Sequence, residues 1–339
     1  MTTSHSPTRR QLLAASTAAW AGACAGTLAL GLGTAAFAQS DFPNRPIRIV
    51  VPYSAGTGSD ALARTVAQGI TEKTGKQVLV ENRDGGGSLI GTQAVLKATP
   101  DGYTLLIAAN PMVIVPSQSA TPPYDPDKDF VPVAKVAVIP LVLAVTPGLN
   151  LKSVKELIAY AKANPGKLSY GSSGPGTISQ QQMELFKQSV GIDIPEIPYK
   201  STAQAMTDLI GGTLSVFPVV VPLVAQHLQS GRVKGLAVFD VARSALLPDL
   251  PAITEEISVA GYVPTPVWYG FVAPAKTPRD VVAVLSGMIQ NVMDTPDAKA
   301  RLVALGAQRI NVSNEQFGAD IRNEYEKAGA LARRLGTYK

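Results

Sequence analysis

Apolar and polar positions alternate between two periods along the chain, and the changes of period mark the elements. Ile47, Ile49, Val50 and Val51 form a short β-branched run between Pro46 and Pro52, which reads as a buried strand. Beyond a glycine-rich turn, Leu62, Val66 and Ile70 recur at i, i+4 and i+8 up to Gly75, which predicts a helix and its stop. Gln77 to Glu81 reads as a second strand, Ile90 to Ala98 as a helix and Tyr103 to Ile107 as a third strand. A β-α-β-α-β order predicts a mainly parallel sheet with helices on its faces.

The middle of the chain repeats the device. Asn110 to Asp129 has no period and contains five prolines, so it reads as a loop. Val131 to Val145 is apolar with breaks at Pro132 and Pro140, and Leu141 to Val145 is a strand suited to carry the chain into a second domain. Ser153 and Glu156 form a capping box before a helix, and Leu168 to Tyr170 is a short strand. Thr177 with Gln180 opens a helix running to Gly191, and Ser201 with Gln204 opens another that ends at Gly211 and Gly212. Leu214 to Val221 is strand-like but broken by Pro218, Val224 to Gln229 is helical, and Leu236 to Phe239 is a strand. Val267 to Val272 reads as the return crossing, and helices open at Thr277-Pro278, Thr295-Pro296 and Ser313. The predicted domains are 39–141 joined with 268–339, and 142–267.

Three turns join a strand to a helix start through glycines: Ser54 to Gly58, Asn82 to Ser88 and Gly171 to Thr177. The first backbone N–H groups of a helix have no partner within it, and the helix dipole adds about half a positive charge there. The first and third turns belong to different predicted domains, so facing each other they would clamp one small anion across a cleft.

Charge and composition narrow the classes. The net charge is +5, and Arg9 and Arg10 supply two of those charges. The remaining excess has no block of like charge, which argues against nucleic acid as a partner. Thr8-Arg9-Arg10-Gln11-Leu12-Leu13 reads as a twin-arginine export signal, with an ordinary secretory signal as the alternative. A small-residue apolar stretch follows, and Ala36-Phe37-Ala38 fits a cleavage site, so residues 1–38 are expected to be removed. The single cysteine, Cys24, lies inside that segment behind a poor lipobox, so the mature chain is expected to have no disulfide, thiolate metal site or cysteine nucleophile.

Competing chemistries fit less well. Gly56-Thr57-Gly58-Ser59-Asp60-Ala61 matches the G-x-G-x-x-A dinucleotide fingerprint, with Glu81 near the place of a ribose-binding acid. Residues 52–55 separate the strand from the first glycine, however, and an exported protein meets no free nicotinamide pool. An exported dinucleotide-dependent oxidoreductase is therefore the alternative function. Gly171 to Thr177 lacks the lysine of a phosphate-binding P-loop and the second glycine of a nucleophile elbow. The mature chain has one histidine, His227, which reads as a solvated helix residue and disfavours a serine–histidine enzyme. Asp125, Asp127 and Asp129 lack the glycine of a calcium loop and read as loop or cap residues. Arg64, Arg83 and Lys200 lie near the turns and read first as salt-bridge or solvated side chains; Trp268 and Tyr269 read equally as hinge packing or cleft wall.

Several longer motifs occur in order: FPNRPIRIVVPYSAGTGSD from Phe42, VENRDGGGSLIG from Val80, ATPDGYTLL from Ala98, PYDPDKDFVPV from Pro123, ELIAYAKANPGKLSYGSSGPGT from Glu156, TDLIGG from Thr207 and WYGFVAPAKTP from Trp268. Together they resemble the Bug-type extracytoplasmic receptors of tripartite tricarboxylate transporters, over nearly all of the mature chain. The resemblance implies an α/β, two-domain periplasmic-binding-protein-like (type II) fold, each domain a mostly parallel sheet flanked by helices, with the ligand cleft between. It implies a periplasmic, non-enzymatic, monomeric receptor without a cofactor. Its ligand would be a small organic carboxylate, and its partners the membrane subunits of such a transporter or a sensor kinase. The ligand-binding residues it points to are Tyr53, Ser54, Ala55, Gly56, Thr57 and Asp60 of the first turn, Ser172, Ser173, Gly174 and Thr177 of the third, and Asn110, Gln180 and Pro218. The chain departs from the family pattern at Ser54, at Gln180 in place of a histidine, at Ser201 in place of a glycine, and at Ser215 and Val219 in place of acidic residues. The wall there is more apolar, which points to a ligand with an uncharged or aromatic body.

Overall fold

A computed structural model describes residues 1–2, 42–174, 177–260 and 262–338. The export signal, Cys24 and the Pro175-Gly176 step of the third turn lie outside the described residues. Two compact units are separated at Asn44. In Met1–Asn44 the described residues form neither helix nor strand. Arg45–Lys339 holds two sheets and all the described helices.

The first sheet has the strand order β11-β4-β10-β3-β1-β2. Strands β1 (Ile47–Val51), β2 (Val78–Asn82) and β3 (Thr104–Ala109) are parallel, joined by α1 (Gly58–Thr74) and α2 (Leu89–Leu96). Then follow α3 (Pro111–Ser117), β4 (Phe130–Ile139) and, after Pro140 alone, β5 (Leu141–Val145), which belongs to the second sheet. That sheet has the order β7-β6-β8-β5-β9 and is built from α4 (Val154–Ala163), β6 (Tyr170–Ser172), α5 (Ile178–Val190), β7 (Glu196–Pro198), α6 (Thr202–Gly211), β8 (Val216–Val220), α7 (Val221–Gln229), β9 (Lys234–Val238) and α8 (Ile253–Glu256). The chain returns through β10 (Val267–Pro274) and ends in α9 (Arg279–Met293), α10 (Pro296–Ala304), β11 (Gln308–Arg309) and α11 (Asn314–Arg334).

Most strands of each sheet run one way, with β10 and β11 reversed in the first sheet and β5 in the second. β1, β2 and β3 run parallel, as do β6, β7 and β8, but β10 is antiparallel to β3 and β4, and β5 is antiparallel to β8 and β9. β5 and β10 are the strands that enter directly after the chain changes sheet, so they arrive from the opposite side to a strand fed by a crossover helix.

The unbroken run Leu141–Val145 is apolar because β5 is covered on both faces. Leu141, Leu143 and Val145 pack with Tyr170, Phe186 and Phe239 on one side. Val142 and Ala144 pack with Leu209, Phe217 and Val238 on the other. The first sheet buries Val50, Leu106 and Val272 with Trp268 and Phe317, whose rings meet edge-on at 5.3 Å. Fully burying a side chain of this size contributes about 1.5–3 kcal/mol.

Three expectations from proline change. Residues 111–117, expected as loop, form α3: Pro111 stands in its first turn, where no N–H partner is needed, and Pro116 stands near its end. Pro116 cannot bond the carbonyl of Met112, and the hydroxyl of Tyr124 takes that place, donating to it at 2.8 Å. β4 runs through Pro132, opposite a register shift in β10 between Phe271 and Val272. β8 runs through Pro218 without a break, because its ladder to β6 is the single pair Tyr170–Val216 and Pro218 stands beyond it. The short strand expected at 168–170 lies two residues later as β6, and α8 and β11 were not expected.

Candidate functional site

A cavity of about 420 Å³ lies between the two sheets, and five helices begin on it, α3 among them at Asn110 and Pro111. Thr57, Gly58 and Ser59 bring the N-terminus of α1 to one wall. Thr177, Ile178 and Ser179 bring that of α5, Thr202 that of α6, and Val220 that of α7. Each contributes unpaired backbone amides and the positive end of a dipole. No Lys, Arg, His, Asp or Glu is among the described lining residues. The cavity therefore attracts an anion through oriented dipoles alone, and a hydrogen bond from such an amide to a carboxylate contributes about 1.5–3 kcal/mol.

The first turn is shaped from behind. Gly56 adopts φ +84°, a conformation that favours glycine. Its N–H donates to Asp60 Oδ2 at 2.9 Å, and Asp60 also accepts from Arg64 Nε and from Asn82 Nδ2, each at 3.0 Å. Arg64 above all, with the Gly56 and Asn82 donors, outweighs burial and holds the Asp60 carboxyl down at about 2. Asn82 Nδ2 also donates to Tyr53 O at 3.1 Å. Thr57 caps α1: its hydroxyl donates to Ser54 O at 3.0 Å and accepts from Asp60 N at 3.4 Å. Ser54 donates to Asp84, tying this turn to the second glycine turn. Gly91 in α2 packs against Pro52, where a Cβ would lie 2.7 Å from the proline Cα.

The third turn is held in a similar way. Ser172 is fully buried; its hydroxyl donates to Glu196 and accepts from Gly174 N at 2.8 Å. Gln180 Nε2 donates to the same Glu196 at 2.8 Å. Thr177 Oγ1 donates to Gly174 O at 2.7 Å, and Ser179 Oγ accepts from Ser173 N at 3.2 Å.

The structure thus separates the residues expected to bind ligand into two sets. Tyr53, Thr57, Asn110, Ser173, Thr177 and Pro218 line the cavity. Ser54, Ala55, Gly56, Asp60, Ser172, Gly174 and Gln180 lie off it; apart from exposed Ala55, they make the hydrogen bonds that set the two turns. Asn110 lines the wall with a side chain already committed inward, its Oδ1 accepting from Trp268 N at 3.2 Å and its Nδ2 donating to Glu324 at 2.7 Å and to Pro266 O at 3.3 Å. The hydroxyls of Ser59, Ser173 and Thr202 have no hydrogen-bond partner among the described residues. Ser59 and Thr202 were not among the expected residues, although each lies in the first turn of a helix opened by a capping residue, a visible signal. The Tyr53 hydroxyl is buried beside Ser88, and burial raises its pKa.

The neighbouring candidates fall outward. Arg64 pairs with Asp60, and Arg83 with Glu81 at 2.6 Å. Lys200 is exposed. Tyr269 lines the cavity, its hydroxyl 3.0 Å from where a Cβ on Gly58 would stand, whereas Trp268 is buried with its indole N–H on Glu324. Glu81, the candidate ribose acid, is held by Arg48 and Arg83. His227 lies in the last turn of α7, away from its N-terminus. Asp125 accepts from Asp127 N and pairs with Lys128, and Asp127 pairs with Arg322. Among the described residues there is no group of three or more metal-ligating side chains, and no helix long and apolar enough to cross a membrane.

Comparison with known proteins places this geometry. The family model described as the tripartite tricarboxylate transporter family receptor matches residues 62–337. BugT of Bordetella pertussis is 33% identical over 307 residues, covering 90% of this chain and 94% of that one. The solved structure of the periplasmic binding protein BugD superposes with a TM-score of 0.66 at 32% identity, covering 88% of this chain and all of that one. An R. palustris protein solved with adipate gives 0.67 at 32% identity, covering 86% and 98%. MatC from Rhodopseudomonas palustris, solved with malate, gives 0.65 at 26% identity, covering 86% and 100%. The dinucleotide alternative is not favoured by any of these. The chain belongs to the receptor family of the tripartite tricarboxylate transporters.

Proposed function

We propose that this protein is a periplasmic solute receptor that captures a small organic carboxylate between its two sheets. The observation that carries the reading is the convergence of five helix N-termini on one cavity with no charged side chain among its described lining residues. Relatives solved with adipate and malate support a carboxylate as the anion. The segments 39–141 with 268–339, and 142–267, act as two domains that close on the ligand. The chain bends at Pro140 between β4 and β5 and ahead of β10, where it changes sheet.

The receptor reading includes export, with cleavage near Ala38, and delivery by a monomer to the membrane subunits of a tripartite tricarboxylate transporter or to a sensor kinase. It includes no catalytic step: the free hydroxyls of Ser59 and Ser173 have no histidine or carboxylate beside them in the lining to act as a base. Thermal unfolding of residues 39–339 against di- and tricarboxylates, aromatic acids, amino acids and NAD tests the reading. A ligand bound only by the native state adds about 2.7 kcal/mol at a hundredfold excess over Kd, so one carboxylate class should raise the midpoint selectively. A shift with NAD alone would return the oxidoreductase.

A further inference from the structure

The cap of α1 leaves two donors unspent. Asp60 N donates to the Thr57 hydroxyl at 3.4 Å and Ala61 N to the Thr57 carbonyl at 2.9 Å. The amides of Gly58 and Ser59, the first two residues of the helix, have no acceptor within it. Both residues line the cavity. A carboxylate has two oxygens and about four lone-pair sites, so two amides at a helix start satisfy it only in part.

Tyr269 of β10 reaches the same point. It pairs with Ala109 of β3, and both residues line the cavity. Its hydroxyl oxygen stands 3.0 Å, and its Cζ 3.6 Å, from where a Cβ on Gly58 would be; these are the nearest atoms to that point from outside α1 and its cap. Among the described residues the hydroxyl has no hydrogen-bond partner, and burial raises its pKa, so it remains a protonated donor. The other tyrosine on this wall, Tyr53, holds its hydroxyl beside Ser88.

We propose that the Tyr269 hydroxyl donates directly to the ligand carboxylate, beside the amides of Gly58 and Ser59, and that the missing Cβ of Gly58 leaves the notch in which this hydroxyl stands. The proposal rests on the receptor reading and names a donor in its site. It places no demand on the rest of the ligand, so the contribution is common to every carboxylate that binds. The notch is not a backbone requirement: Gly58 is absent from the glycines with positive φ, and in a helix alanine is the more stable residue. A side chain there would meet the hydroxyl closer than ordinary van der Waals contact and push it aside.

Isothermal titration of the mature chain, residues 39–339, with adipate, malate, citrate, glutamate and benzoate tests the proposal, alongside unfolding midpoints without ligand. In Tyr269→Phe every acid that binds the native chain should bind about tenfold or more weakly, the worth of one hydrogen bond to a charged group, at an unchanged midpoint. Gly58→Ala should also weaken binding while its midpoint holds or rises. The two losses should not add: the double variant should bind within about twofold of Tyr269→Phe alone, the scatter of such cycles. Tyr269→Phe binding as tightly as the native chain, or losing affinity only together with a lowered midpoint, would overturn the proposal and leave the receptor reading standing. Equal losses from Gly58→Ala with and without the Tyr269 hydroxyl would overturn the notch. No acid binding the native chain would overturn the receptor reading and this proposal with it.

Discussion

Asn110 and Glu324 are 214 positions apart and joined at 2.7 Å, the amide on the cavity wall donating to a carboxylate buried in the C-terminal helix. The other oxygen of Glu324 accepts from Trp268 Nε1 at 2.6 Å, and Asn110 Oδ1 accepts from Trp268 N. The cavity wall, the start of β10 and α11 therefore move as one piece. Glu324→Ala would leave two buried donors without an acceptor, each costing about 1–3 kcal/mol, and open a cavity. Denaturant titration should show a loss of about 2–5 kcal/mol.

The same carboxyl makes a pH prediction. Burial, opposed by the Asn110 and Trp268 donors and by Lys135, pushes Glu324 up from 4.5 to about 7. Through this group the folded state holds a proton that the unfolded chain releases. Its contribution to stability is complete below pH 4.5 and declines as the pH rises toward 7. Unfolding midpoints measured from pH 4 to 8 should show this decline in the native chain. In Glu324→Gln that component should disappear, whatever the cost of the substitution itself.

Hydroxyls that touch ligand and hydroxyls that hold the turn should separate in binding assays. Among the described residues Ser59 and Ser173 spend no hydroxyl hydrogen bond, so Ser59→Ala and Ser173→Ala should weaken ligand binding by about tenfold, one hydrogen bond to a charged group, with little change in unfolding midpoint. Thr57 both caps α1 and bridges to Ser54. Thr57→Val should cost about 1 kcal/mol of stability as well as affinity. Equal stability losses in all three variants would show that Ser59 and Ser173 are structural.

Much of this was legible in the sequence, for reasons that can be named. The strand–glycine turn–helix device states its own physics: an apolar run, a residue free to take positive φ at Gly56, and a capping residue at Thr57. That placed two of the five helix starts in one site. Two more were hidden. Thr202 follows an ordinary cap, and α7 begins beyond a strand containing Pro218, so neither carries a glycine signature. The helix α3 was hidden too, because the acceptor left open by Pro116 is answered by Tyr124, eight residues further on and in contact only once folded. The split within the expected site residues was also beyond reach. Whether Ser172 faces ligand or Glu196 depends on β7, which pairs with β6 through residue 198.

Gly91 should prove sensitive although it lines no cavity. A Cβ there would stand 2.7 Å from Pro52 Cα and 2.9 Å from Arg83 O, both backbone atoms that cannot rotate away. Gly91→Ala should cost about 1–3 kcal/mol, the usual range for overpacking. Because Pro52 leads directly into the first turn, the displacement should also weaken ligand binding, which titration at a temperature below the lowered midpoint would measure. Gly75→Ala is a suitable contrast: a Cβ there meets nothing, φ is +68°, and any loss should be of stability alone.

Asp60 governs the acid limb of stability. Its carboxyl is held at about 2 against an ordinary 3.8, chiefly by Arg64, and it anchors Gly56, Arg64 and Asn82 together. A depressed pKa means that the unfolded chain takes up the proton first. The contribution is therefore present above pH 3.8 and lost as the pH falls from there toward 2. Asp60→Asn keeps an acceptor for Gly56 N–H but cannot serve all three donors or pair with a cation. The variant should be less stable at pH 7 by about 1–3 kcal/mol, and its stability should fall less steeply than that of the native chain between pH 4 and 2. Since Asp60 stands behind the amides of α1 rather than on the lining, its effect on ligand affinity should follow the disorder of the turn. Binding lost at 25 °C should then be partly regained on cooling, whereas the loss in Ser59→Ala should persist.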